Sequence, residues 1–95
     1  MGQKFDKNVR LRTHETDVAT STTAAVATAA STDRIAVMFQ NKDASISIYL
    51  GNSDVASNKG ITLAAGQSFT DDRSSAAWYA RSASGTPSLG VTLFY

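Results

Sequence analysis

The side chains with the most chemical capacity in this chain are one histidine and a few scattered carboxylates and amides. His14 is the sole histidine, and there is no cysteine. A zinc site needs several nitrogen or sulfur ligands, and a catalytic imidazole needs an orienting partner. Glu15 and Asp17 lie beside His14 in a polar stretch, so His14 reads as a surface residue. Asp71 and Asp72 are adjacent, but neighbours in an extended strand point to opposite faces and would not share a substrate. Glycoside hydrolysis needs two carboxylates about 5–10 Å apart across a cleft. Asp43, Asp54 and Asp71 would serve only if the fold converged two of them. Asn52, Asp54 and Asn58 offer the oxygen ligands that calcium takes, yet Asn and Asp also occupy turns for backbone reasons, which is the better reading. Serines are frequent, but there is no Gly-x-Ser-x-Gly elbow, no base to activate one and no Gly-rich phosphate loop. No catalytic residue, metal ligand or cofactor is expected.

The elements that would position these groups are strands. In the stretch 33–69, Ile35, Val37 and Phe39 fall on one face, because successive strand side chains alternate. Asn41 to Ser45 reads as a turn. Ile46, Ile48 and Leu50 then alternate with Ser45, Ser47 and Tyr49, so the unit reads as a hairpin followed by two short strands around Ile61–Leu63 and Phe69. Ala64 to Gln67 is a tight turn in which Gly66 can take positive φ. Trp78 and Ala80 share one face of a further strand, with Tyr79 and Arg81 on the other. Ser84 to Pro87 is a turn, and Leu89, Val91 and Leu93 mark a last strand.

Residues 18–30 are rich in Ala but also in Thr and Val, which lose side-chain freedom in a helix, so one or two strands are expected there. The fold class is all-β: a β-sandwich or jelly-roll-like barrel of about seven to eight short antiparallel strands. The expected core is Ile35, Val37, Phe39, Ile46, Ile48, Leu50, Ile61, Leu63, Phe69, Trp78, Leu89, Val91 and Leu93. Residues 18–95 form the sandwich domain and residues 1–17 an extended N-terminal arm. The arm has few sizeable apolar groups, too few to order itself, so a neighbouring chain is its expected support.

Nine basic and eight acidic residues leave a net charge of +1, without the concentrated positive field that nucleic-acid binding uses. No apolar run approaches the roughly 20 residues of a membrane helix, and no apolar leader core opens the chain. Neither nucleic acid nor a membrane is an expected partner, and synthesis is expected in the cytoplasm. The absence of cysteine rules out a disulfide framework. The aromatics Tyr49, Tyr79, Phe94 and Tyr95 fall opposite the expected core or at the chain end, and are candidates for an interface.

One pattern goes further. Arg34, a strand ending Gln40-Asn41, Ile48-Tyr49-Leu50-Gly51-Asn52-Ser53-Asp54-Val55, Asn58, Gly60-Ile61, Leu63-Ala64-Ala65-Gly66-Gln67-Ser68, Trp78-Tyr79-Ala80 and the turn 82–86 occur in that order. The pattern resembles a small all-β module found among structural proteins of tailed bacteriophages, as capsid decoration (cement) proteins and in head fibres or tail components. The resemblance implies a non-enzymatic virion protein on the capsid surface. Its partners would be the major capsid protein and further copies of itself, with a trimer favoured. On that reading Lys4, Lys7, Arg10 and Arg12 would pair with acidic groups of the coat, with Phe5 and Leu11 as apolar anchors. The alternative is a carbohydrate-binding β-sandwich or a small fibre component used in host attachment, whose partner would be a glycan.

Overall fold

The computed structural model describes residues 12–57 and 59–95. The chain runs as one long antiparallel ribbon that doubles back near residues 52–60 and is then rolled into two layers. Its outgoing half is β1 (Thr13–Ala19), β2 (Ala25–Thr28), β3 (Ala36–Asn41) and β4 (Ile48–Gly51). Its returning half is β5 (Ile61–Leu63), β6 (Ser68–Asp71), β7 (Trp78–Ser82) and β8 (Ser88–Phe94). The ribbon pairs β1 with β8, β2 with β7, β3 with β6 and β4 with β5, all antiparallel. Rolling adds β3 to β8 and β4 to β7. The result is two four-stranded sheets of order β1-β8-β3-β6 and β2-β7-β4-β5. This is the double-sheet jelly roll. Among the described residues there is no helix.

Period-two patterning places the core. Val37, Phe39, Leu89 and Val91 of the first sheet face Ile48, Leu50, Leu63 and Ala80 of the second, and all are buried. Trp78 joins the layers, its ring 5.6 Å from both Phe39 and Phe69, which are cross-strand partners on β3 and β6. Tilted pairs of this kind add to the stabilisation from area burial. Gly66 and Gly85 turn with φ of 79° and 59°. Gly60, at φ 105°, closes the loop after β4, where a Cβ would sit 2.3 Å from the Leu50 carbonyl oxygen. Val55 is buried against Gly51 and Gly60 and folds that loop back onto its sheet.

Three sequence expectations are corrected. Residues 13–17 are not arm: they belong to β1, a full ladder partner of β8, so the boundary falls before Thr13. The stretch 35–50 is not a hairpin, because β3 and β4 lie in different sheets and residues 42–47 cross between layers. Ile35 is not core but 58% exposed. β3 begins one residue later, and at its entry Arg34 rather than Ile35 turns inward.

Candidate functional site

The titratable groups at the layer crossings are engaged by the fold. Asp71 ends β6 and is almost wholly buried. Its carboxylate accepts the Trp78 indole N–H at 2.9 Å, the Ser74 hydroxyl at 2.8 Å and the Arg73 backbone N–H at 2.9 Å. Burial pushes its pKa up, but these hydrogen bonds outweigh that and leave it lowered. Asp43 caps the β3–β4 crossing by accepting the backbone N–H groups of Ser45 and Ile46 at 2.9 and 2.7 Å, which lower its pKa. Asn52 does the same for Asp54 at 2.8 Å, so its oxygen serves a turn. Among the described residues no three His, Asp or Glu side chains converge as metal ligands.

Of the interior polar side chains at the corners, two make three hydrogen bonds each. Asn41 is fully buried at the end of β3. Its Nδ2 donates to the carbonyls of Ile46 and Leu63 at 2.7 and 3.0 Å, and its Oδ1 accepts the Asp43 N–H at 3.0 Å. Arg34, 6% exposed, donates from Nη1 to the Ala29 carbonyl at 3.1 Å. Its Nη2 donates to the Ser74 and Ala76 carbonyls at 3.2 and 2.8 Å. It thereby clamps the β2–β3 connection to the β6–β7 connection. Planar guanidinium geometry suits three carbonyls arranged this way better than a lysine ammonium would.

What remains open is surface. On the outer face of the second sheet, Tyr79 sits opposite Val26 on one side and Gly51 on the other. Val26 is 49% exposed and Tyr79 half-buried. On the outer face of the first sheet, Lys42 reaches across Gly90 to Asp17 at 3.0 Å, and its Cε would be 3.0 Å from a Cβ at position 90. A shallow groove of about 200 Å³ runs here beside Glu15, Met38, Gln40 and Thr92. A second, more apolar groove of about 310 Å³ opens between the β4–β5 and β6–β7 loops, floored by Leu50, Ile61 and Trp78, with Asn52 and Ser74 on its rim.

No family model, curated protein or solved structure matches the chain.

Of the residues singled out from sequence, Lys4, Phe5, Lys7, Arg10 and Leu11 lie outside the described residues. Arg12, Phe94 and Tyr95 are brought together where β1 starts and β8 ends. Arg12 and Tyr95 exchange backbone hydrogen bonds at 3.2 and 2.8 Å, with the guanidinium 5.9 Å from the Tyr95 ring centroid. Tyr79 stands apart from them on the other sheet. Tyr49 is a correction: it points outward as expected, yet is only 6% exposed. It occupies an inner strand, flanked by Arg81 of β7 and Thr62 of β5, and side chains on adjacent strands cover it. Sequence reasoning missed Asn41 and Arg34, because a polar residue beside a turn signal carries no mark of interior placement. It also missed Ile35 and Val26 as exposed apolar groups.

Proposed function

We propose that the protein is a non-enzymatic structural protein of a tailed-bacteriophage particle. It is a decoration (cement) protein that binds the outside of the coat shell and associates with copies of itself. The observation that carries this reading is the fate of the groups with chemical capacity. Asp43, Asp71, Arg34 and Asn41 are each engaged by backbone or neighbouring side chains, while the outer faces keep half-exposed apolar and aromatic groups. Such a surface suits contact rather than turnover. Jelly rolls occur in viral capsid and lectin domains, an analogy at the level of fold alone. Clamping neighbouring coat subunits would oppose the outward pressure of packaged DNA, and a closed heterologous ring of three would present several clamps at once. The test is binding of the purified protein to emptied, expanded capsids, with its position on an intact virion determined by imaging. Failure to bind such shells, or a position away from the shell, refutes the reading.

One observation favours the alternative, a carbohydrate-binding module of the virion or its host-attachment apparatus. The 310 Å³ groove combines the Trp78 ring with an amide and a hydroxyl from Asn52 and Ser74, the side-chain types that stack on and hydrogen-bond to a sugar. Binding to cell-surface glycans, with no binding to capsids, decides for it.

A further inference from the structure

We infer that the outer edge of β1 is a strand-docking site, and that its occupant is the basic segment 4–11 of a second copy of this chain. The inference rests on the self-association included in the reading above.

The ladder shows which groups β1 leaves open. Arg12 and Tyr95 exchange both backbone hydrogen bonds, and at the other end Thr20 donates to the Pro87 carbonyl. Hydrogen-bonded pairs alternate along an antiparallel ladder, so the even-numbered residues of β1 bond to β8. The N–H and C=O groups of Thr13, Glu15, Asp17 and Ala19 therefore turn away from the sheet. β1 is the end strand of its sheet, and among the described residues nothing pairs with that side. The other three edges are blunted. β2, β5 and β6 have four, three and four residues, and β2 carries a register shift between Val26 and Thr28. β1 has seven residues, no proline, no lysine and no bulge, and the charges of Glu15 and Asp17 are what guard its edge.

Its charge pattern selects the partner. Glu15 and Asp17 lie on the outer face, where Lys42 reaches Asp17. Antiparallel self-pairing centred on Thr16 would set each Glu15 opposite an Asp17, and like charges directly opposite are destabilising. A basic strand is wanted instead. Segment 4–11 supplies Lys4 and Arg10 on one alternating face, where Asp6 is the single acid, and Lys7 on the other. With Arg10 on the side of Glu15, alternation puts Val9 and Leu11 on the side of Val18. Eight extended residues span about 26 Å and the seven of β1 about 23 Å, so the lengths match. The strand must come from another copy. Its own chain enters β1 through Arg12, already paired with Tyr95, and Val9-Arg10-Leu11 contains no turn residue that would reverse it onto its own edge.

The experiment uses full-length protein in sedimentation equilibrium over a range of concentrations, with circular dichroism to verify folding. Wild type is expected to associate. Glu15→Arg and Arg10→Glu should each weaken association about tenfold, since each turns an attraction into a repulsion. The double variant should return to within about threefold of wild type, and Glu15→Gln should fall between wild type and Glu15→Arg. A monomeric wild type, unchanged association in both single variants, or no recovery in the double variant overturns the inference. Capsid binding is scored separately. Association that follows the charge swap without capsid binding refutes the virion reading and supports this one. Capsid binding by a strictly monomeric protein does the reverse.

Discussion

Replacing Asn41 with Leu tests whether one interior amide holds the corner of the roll. The substitution keeps approximate size and leaves the two backbone bonds at this position in place, Asn41 N–H to the Gln67 carbonyl and Gly66 N–H to the Asn41 carbonyl. Only the side-chain bonds are lost. The Leu63 carbonyl is then left in the interior without that donor, a loss of about 1–3 kcal/mol. The Ile46 carbonyl and the Asp43 N–H are partly buried and regain some solvation, so each contributes about 0.5–1.5 kcal/mol. The total is about 2–6 kcal/mol, and a domain of this size has roughly 5–14 kcal/mol to lose. At about 4–8 °C per kcal/mol, the midpoint of thermal unfolding should fall by at least about 8 °C. Guanidinium unfolding followed by circular dichroism measures the free energy directly. A loss below about 1 kcal/mol would refute the reasoning, because it would mean that the three bonds contribute no more than solvent does. Asn41→Asp gives a second reading of the same site. The introduced carboxylate keeps the acceptor for Asp43 but faces two carbonyl oxygens, so its pKa should rise on folding. Its deficit against wild type at matched pH should therefore shrink as pH falls, since protonation removes the repulsion and supplies one donor.

Gly60→Ala should destabilise by more than about 2 kcal/mol, since backbone strain at φ 105° is joined by a Cβ placed 2.3 Å from the Leu50 carbonyl oxygen. Gly66→Ala, with φ 79° and open space around it, should cost only about 1–2 kcal/mol, and equal losses in chemical denaturation would contradict the steric argument. Arg34→Lys should lose about 2–4 kcal/mol, because an ammonium cannot reach three carbonyls in the guanidinium plane, and hydrogen exchange should rise first in residues 72–77. Asp71 has a lowered folded pKa, so its contribution is present above about pH 4 and is lost as pH falls through the folded value. Asp71→Asn should flatten that acid loss in pH-dependent unfolding, and an unchanged acid limb would contradict the assignment.

The all-β class, the strand count and the facing of Trp78, Tyr79, Ala80 and Arg81 were legible because a strand with one covered face alternates visibly. Residues 13–17 were not, because β1 is an edge strand with little of either face covered, and such a strand carries no apolar signal. The pairing of β3 and β4 was misread for a different reason. Local alternation fixes faces, whereas sheet membership depends on partners as remote as β8, whose residues pair with β3 from Asn41↔Leu89 to Ala36↔Phe94. Ile35 fits the period and still lies in solvent, since periodicity does not reveal where the opposite layer stops. Of the candidate contact residues, Phe94 and Tyr95 were singled out as aromatics opposite the expected core or at the chain end, and Arg12 joins them through the ladder. Tyr49 was lost to interstrand neighbours that no short window contains.

The position of the interior polar residues follows from the rolling itself. A ribbon that changes sheet at three corners, residues 20–24 with 83–87, 29–35 with 72–77 and 42–47 with 64–67, must break its ladder at each, and buried carbonyls at a break need donors. Asn41 supplies them at one corner, Arg34 at another and the buried Thr20 hydroxyl, donating to the Pro87 carbonyl at 2.7 Å, at the third, while Asp71 takes up the opposing N–H and hydroxyl groups. The polar side chains at the corners are therefore engaged by the same bonds that make the corners. Openness is pushed to the edges of the sheets, where three of four strands are too short or too irregular to accept another chain. β1 is left, and it is also the strand whose place in the fold depends most on distant sequence, since its ladder joins residues 13–19 to residues 88–94. Closing that pair costs the most loop entropy of any in the ribbon. A strand added to the outer edge of β1 would stabilise the least-covered element of the roll and join two molecules through the same hydrogen bonds, so that assembly and completion of the fold become one event.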